Sequence, residues 1–117
     1  MLTIRPAQMA AFERAAVEGF EQRLFKHVQT LLSEEGVAVP VPELRARISA
    51  AVTQAKEYYF KREIDIANFV EIVIVRLGGF DEKDCPKPLL CELYTYGADP
   101  ETKLKKFGTW AAARGKA

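Results

Sequence analysis

The chain has 117 residues, of which 49% are hydrophobic and 28% are charged, a composition typical of an ordinary globular domain rather than a disordered protein. Seventeen basic and sixteen acidic residues leave a net charge of +1, which gives no overall field that would attract nucleic acid or an anionic membrane. No apolar run reaches the roughly 18 residues of a membrane-spanning helix. We therefore expect one domain over residues 1–117 and no membrane partner.

The first predicted helix begins at Pro6 and ends before Gly36. Between these residues the apolar side chains recur at steps of three and four, the period of an amphipathic helix: Phe12, Ala16, Phe20, Leu24, Val28 and Leu31. Some 28 residues would span roughly 40 Å, which is long for a globular protein. We expect a long first helix that lies along the other helices, with Phe20 facing their centre.

The second predicted helix follows a loop that contains Pro40 and Pro42. Pro42 is well suited to a first helical position, and the pattern ends near Tyr59 or Phe60. Its apolar stripe again steps by three and four residues: Leu44, Ile48, Ala51, Val52, Ala55 and Tyr58.

The third segment is ambiguous, because five of the six residues from Val70 to Val75 are β-branched, as in a strand. A strand would need a partner, and the other strong apolar patterns are helical. Read with its flanks, the segment shows a helical stripe closed by Gly78: Ile66, Phe69, Val70, Val73, Ile74 and Leu77. We predict a helix, the most enclosed of the fold, with Val73 facing the centre and Asp65 on the opposite, solvent side.

A loop of about eleven residues, 78–88, follows this helix; it opens with glycines and closes with prolines. Leu89 to Tyr94 then predict a short fourth helix that ends at Gly97. Asp99 and Pro100 are suited to start a fifth helix, and we expect the last ~8 residues of the chain either to fray or to form a short terminal extension. The predicted fold class is all-α, a four- to five-helix bundle.

The residue types that carry catalysis or bind metals are sparse. His27 is the only histidine, and Cys85 and Cys91 have a spacing that is poor for zinc, so we interpret them as free thiols. Three acids of the 78–88 loop lack the twelve-residue rhythm of a calcium site. We expect no enzyme activity, no cofactor and no metal. Because Glu13 interrupts any secretory signal, we expect a cytoplasmic protein.

Two groups of residues leave a choice between structure and binding. Aromatic residues at helix ends can rim the core or anchor a partner: Tyr58, Tyr59, Phe60, Tyr94, Tyr96 and Trp110. A basic C-terminal segment can be a solvated helix end or can contact nucleic acid, with Trp110 available for stacking: Lys103, Lys105, Lys106, Arg114 and Lys116.

Three stretches together resemble small helical bacterial proteins encoded beside type VI secretion toxins and spike proteins: "LTIRPAQMAAFERAAVEGFEQRLFKHVQTLL", "REIDIANFVEIVIVRLGGFDE" and "PLLCELYTYGADPETKLKKF". The chain departs from that pattern before the third helix, where Tyr59, Lys61 and Arg62 replace a small residue and a Ser or Thr cap. The resemblance implies a non-enzymatic accessory role, as a chaperone-like adaptor or an immunity protein that binds a toxin or secretion component.

The predicted partner-binding site lies on the 78–88 loop and the end of the fourth helix, because long loops on a rigid bundle often carry binding. Its residues are Phe80, Asp81, Glu82, Asp84, Tyr94 and Tyr96. For Phe80 the alternative is that the ring merely caps the core below the third helix. The alternative function is a small nucleic-acid-binding domain that uses the basic C-terminal segment.

Overall fold

The computed structural model describes the backbone of residues 6–115 and the side chains of residues 19–114. Within that range the chain forms five α-helices and no strand, so the predicted all-α class is confirmed. The helices are α1 (Pro6–Glu34), α2 (Val41–Glu57), α3 (Glu63–Glu71), α4 (Lys87–Leu93) and α5 (Pro100–Gly115). In the described residues we find no helix with both the length and the apolar character needed to cross a bilayer.

Helix α1 contributes to the core through the residues after Gly19. Leu24, Phe25, Val28 and Leu32 are buried on one face. The earlier part of the predicted stripe, including Phe12, lies outside the described side chains, so the packing of a long first helix along the whole bundle stays a prediction. The expected central position of Phe20 is wrong: its ring is half-buried, because it lies at the open edge of a groove between α1 and α3.

Helix α2 ends in a backbone turn that determines which of three consecutive aromatic residues are buried and which is exposed. The Phe60 N–H donates to the Ala55 carbonyl at 3.2 Å and the Tyr59 N–H to the Lys56 carbonyl at 3.0 Å, which is the Schellman pattern. Tyr59 has a φ of 68°, a left-handed conformation that costs a residue other than glycine about 1 kcal/mol or more. The turn directs Tyr58 and Phe60 into the core and leaves Tyr59 exposed.

Helix α3 settles the choice between strand and helix. It runs directly into a π-helical turn, Ile72–Arg76, in which the Leu77 N–H donates to the Ile72 carbonyl at 3.1 Å. Every residue from 69 to 75 is buried or half-buried, and Val73 is buried as predicted. Gly78 has a φ of 68° and ends the helix as expected. Because α3 and its π turn contact α1, α2 and α5, they form the central element of the fold.

Asp65 lies in the core, which contradicts the predicted solvent position. Its side chain accepts two hydrogen bonds from Arg62, from Nε at 2.9 Å and from a terminal nitrogen at 3.2 Å. Only 3% of Asp65 is exposed, whereas the Arg62 side chain remains largely in solvent. The carboxylate can be buried because the guanidinium fork covers it at the first turn of α3, where the helix dipole also favours an acid.

Six aromatic side chains form the half of the core between α2, α3 and α5. We call them the aromatic cluster, and they are Tyr58, Phe60, Phe69, Phe80, Phe107 and Trp110. Phe69 is completely buried at its centre, stacked on Phe107 at 5.1 Å and edge-on to Tyr58 at 5.6 Å between ring centroids. Such contacts add to the stabilisation that comes from burial alone.

Helix α5 continues to Gly115, and the fraying expected for the last residues of the chain stays a prediction. The helix persists because Trp110 packs on Phe107 and Ala111 is fully buried. Lys116 lies outside the described residues.

Lys103 is buried, with 2% of its surface exposed, although the sequence indicated a solvated lysine. Its Nζ donates to the Tyr58 carbonyl at 3.0 Å and to the Leu93 carbonyl at 3.1 Å. These carbonyls lie at the C-terminal ends of α2 and α4, where helices leave acceptors unpaired and carry partial negative charge. One ammonium group therefore joins two helix ends, and its burial lowers the pKa of Lys103.

Candidate protein-binding site

The acidic loop, residues 78–86, connects the π turn of α3 to α4 and includes the 3₁₀ turn Glu82–Asp84. Phe80 anchors its start, because the Phe80 ring lies edge-on to Phe107 at 5.1 Å and to Trp110 at 5.9 Å between centroids. This packing agrees with the alternative in which Phe80 caps the core. Phe80 is nonetheless half-buried, so one part of the ring remains accessible.

Glu82 anchors the middle of the acidic loop. Its Oε1 accepts hydrogen bonds from the hydroxyl of Tyr58 at 2.6 Å and from the hydroxyl of Tyr94 at 2.5 Å. Burial, followed by the bond to Glu82, raises the pKa of Tyr58 well above its usual range, and the bond to Glu82 raises the pKa of Tyr94. Two of the predicted partner-binding residues, Glu82 and Tyr94, are thus paired with each other inside the molecule.

Cys85 anchors the end of the acidic loop. Its thiol is buried, which raises its pKa, while Cys91 is exposed on α4. Both cysteines are free thiols, as predicted. Across the described part of the chain, no three His, Cys, Asp or Glu residues are grouped so that they could hold a metal ion.

Asp81 and Asp84 are the two carboxylates of the loop that face solvent. An oxygen of Asp81 accepts from the Lys83 N–H at 3.0 Å and so caps the 3₁₀ turn. Asp84 lies 3.8 Å from a terminal nitrogen of Arg114 on α5. The two acids belong to the lining of a pocket of about 280 Å³, together with Trp110 and Arg114 of α5.

Tyr96 contacts a different set of residues from those that hold the acidic loop. It is 72% exposed, and its ring packs edge-on against Tyr59 at 5.2 Å, with the Lys61 ammonium 5.8 Å from the ring centroid. The structure therefore brings together Phe80, Asp81, Glu82, Asp84 and Tyr94, and it places Tyr96 in a second exposed aromatic pair with Tyr59.

Over its described residues, Lys103 to Arg114, the basic C-terminal segment does not form one free cationic surface. Lys103 is buried, and Lys106 pairs with Glu92 at 2.8 Å. Arg114 lies over the Trp110 ring, with 5.4 Å between its Cζ and the ring centroid. Lys105 is exposed at the rim of an open groove between α3 and α5.

Sequence reasoning missed the partners of the candidate site residues. Tyr58 is 24 positions from Glu82, and no local pattern connects them. Arg114 and Trp110 are four positions apart on one helix, a spacing that does place two side chains on the same face and offered a usable signal.

No protein-family model, curated protein or solved structure shows a significant match to this chain. The type VI secretion resemblance therefore remains an expectation based on the quoted motifs, and the site is argued below from its own geometry.

Replacing Glu82 by Gln is expected to lower the free energy of unfolding by about 1 to 3 kcal/mol, because both tyrosine hydroxyls lose a charged acceptor. The acidic loop should also open locally, so trypsin should cleave after the exposed Lys83 faster than in the wild type. Chemical denaturation and timed proteolysis measure the two effects.

Asp81→Asn is the matched control for this variant. It removes one charge from the same loop, but the amide oxygen can still cap the 3₁₀ turn. Its stability should change by less than about 0.5 kcal/mol. Equal stability losses for the two variants would contradict the anchoring role of Glu82.

Proposed function

We propose that this protein is a non-enzymatic protein-binding module whose contact surface includes the acidic loop. In finer terms, which rest on the sequence resemblance, it acts in the bacterial cytoplasm as an adaptor or immunity protein for a secreted toxin or a secretion component. The observation that supports the proposal is that the acidic loop is fixed to the core and exposes two carboxylates. Phe80, Glu82 and Cys85 hold it against the core, while Asp81 and Asp84 point to solvent.

A loop held in this way supports binding for an energetic reason. A mobile loop loses conformational freedom when a partner orders it, and a loop that is already ordered avoids that cost. Its outward carboxylates are at the rim, where charges chiefly accelerate the encounter with an oppositely charged surface. The near-neutral chain thus carries a local negative site suited to a basic partner surface.

The nucleic-acid alternative has less support in the geometry. Phosphate contacts need free lysine and arginine side chains. Lys103 is instead used inside the fold, and Lys106 is paired with Glu92. We therefore favour a protein partner.

The test begins with the tagged full chain purified from the organism that encodes it, where a stoichiometric protein partner is expected. With the partner purified, its association rate is measured for the wild type and for Asp81→Asn/Asp84→Asn at low and moderate salt. The double variant should have the same melting temperature as the wild type. It should associate several-fold more slowly at low salt, because electrostatic steering of the encounter is strongest there. Glu82 is left intact, because changing it would also release the loop.

A matched control removes the same charge at the C-terminal end of α1, at the exposed pair Glu34 and Glu35, as Glu34→Gln/Glu35→Gln. Its association rate should stay close to that of the wild type. Equal slowing by the two double variants would show that only net charge matters and would move the site elsewhere. A chain that purifies without a stoichiometric partner would overturn the proposal itself.

A further inference from the structure

The pocket between the acidic loop and α5 has features that select for one kind of side chain. Its volume is about 280 Å³, near the lower limit of ligand pockets and suited to a side-chain head group rather than a whole cofactor. Its lining includes the half-buried indole of Trp110 together with the carboxylates of Asp81 and Asp84. An aromatic face beside carboxylates is favourable for a planar cation.

The protein's own Arg114 already places a guanidinium group on the Trp110 ring at the wall of the pocket. Its Cζ lies 5.4 Å from the centroid of the Trp110 ring, within the range of a cation–π contact. Its nearest approach to Asp84 is 3.8 Å, which is too long for a hydrogen bond, and both side chains are about half exposed. Ion pairs of this kind hold weakly, so Arg114 can leave.

The charges among the described residues that line the pocket are also unequal, because there are two carboxylates, Asp81 and Asp84, and one guanidinium, Arg114. Among the described residues, Asp81 accepts a hydrogen bond from the Lys83 backbone N–H, which uses one of its oxygens and does not neutralise its charge. A second cation, or a cation with better geometry than Arg114, would therefore be favourable in this pocket.

We propose that this pocket receives an arginine side chain of the partner protein and that Arg114 is its internal competitor. The inference rests on the proposed function and specifies the chemistry of the same site. Arginine is chosen over lysine because its planar guanidinium stacks on the indole while its N–H groups reach both carboxylates, whereas an ammonium is a compact and strongly hydrated charge. While Arg114 lies over the indole, the incoming arginine must displace it from the ring, so its apparent affinity is reduced by the fraction of molecules in which Arg114 covers the Trp110 ring.

The test uses Trp110, the sole tryptophan of the chain, as a fluorescent reporter inside the pocket. The full-length protein is titrated with three blocked tripeptides, acetyl-Gly-X-Gly-amide, in which X is arginine, lysine or citrulline, at constant ionic strength. Citrulline has nearly the shape of arginine without its charge. The proteins compared are the wild type, Arg114→Gln and Asp81→Asn/Asp84→Asn.

The arginine peptide should change the Trp110 emission and bind Arg114→Gln up to about fivefold more tightly than the wild type, the factor that a weak ion pair supplies when it no longer competes. Binding should be lost with citrulline and in the double aspartate variant. An affinity of Arg114→Gln that equals or falls below that of the wild type would overturn the competitor role. Equal binding of the lysine and arginine peptides would overturn the selection for guanidinium.

Different experimental results would contradict this inference and the proposed function. A stoichiometric partner whose binding is unchanged in Arg114→Gln, together with no peptide binding, would leave the protein-binding function and eliminate the arginine pocket. Peptide binding with the expected pattern in a chain that purifies without a partner would eliminate the partner protein as the source of the arginine. In that case the pocket would be a guanidinium site only.

Discussion

Replacing Phe69 by Ala is expected to lower the free energy of unfolding by about 3 to 5 kcal/mol, the usual cost of deleting a fully buried phenyl ring. Phe69 is completely buried, and its ring contacts four other members of the aromatic cluster: Tyr58, Phe60, Phe80 and Phe107. These contacts come from α2, the acidic loop and α5, so movement of one helix would not fill the cavity. Since small domains are stable by only about 5 to 15 kcal/mol, the variant should be at the limit of folding at room temperature.

The same substitution at Phe20 provides the matched control. The Phe20 ring is half-buried beside an open groove, so its removal loses less apolar contact and creates no enclosed cavity. Phe20→Ala should cost about 1 to 2 kcal/mol, roughly half of the buried value. Urea denaturation of both variants measures the difference. Equal losses would mean that the aromatic cluster can collapse around the missing ring.

The helices could be predicted from the sequence because each depends on a local pattern. The third helix is the clearest case: its β-branched residues resemble a strand one by one, but Val70, Val73, Ile74 and Leu77 share a helical face. The π turn was not predictable in this way. It includes the hydrogen bond from the Leu77 N–H to the Ile72 carbonyl, five residues earlier, and leaves the apolar pattern nearly unchanged.

Buried polar residues were the main source of error, and the reason is physical. Periodicity places Asp65 on the polar side of its helix and a lysine near a helix end in solvent. Whether such a group can be buried depends on a partner: Arg62 for Asp65, and two backbone carbonyls for Lys103. A backbone carbonyl carries no signature in the sequence, so neither position could be recognised before the fold was known.

The position of the candidate site could be predicted from the sequence, but the contacts of its residues could not. The acidic loop could be located from its glycines, prolines and charges, and the alternative role of Phe80 as a core cap was recognised. Which acid of the loop contacts which neighbour could not be predicted. Glu82 and Asp84 are two positions apart with similar chemistry, yet only Glu82 meets the hydroxyls of Tyr58 and Tyr94, and only Asp84 lies near Arg114.

Replacing Lys103 by Met is expected to lower the free energy of unfolding by about 2 to 4 kcal/mol, because two enclosed carbonyls lose a charged donor while the apolar stem is kept. The affected carbonyls belong to Tyr58 and Leu93, at the ends of α2 and α4. Lys105→Met is the matched control, since Lys105 is exposed on the same helix, and its effect should stay within about 0.5 kcal/mol. Thermal or urea denaturation measures both variants. A stability of Lys103→Met equal to that of the control would show that water satisfies the two carbonyls.

The pH dependence of this difference provides a second check, and its sign follows from the lowered pKa of Lys103. In the unfolded chain lysine keeps its proton up to about pH 10.4, whereas in the folded protein burial favours earlier release. Between the folded and unfolded pKa values the unfolded chain binds more protons, so raising the pH stabilises the wild type through this group. A neutral amine still donates two N–H bonds, one to each carbonyl, so the helix ends remain joined. The stability gap between the wild type and Lys103→Met should therefore widen as the pH rises through this window, while tyrosine ionisation affects both proteins alike. A gap that narrows toward pH 10 would mean that the ammonium charge, rather than the two hydrogen bonds, holds the helix ends together.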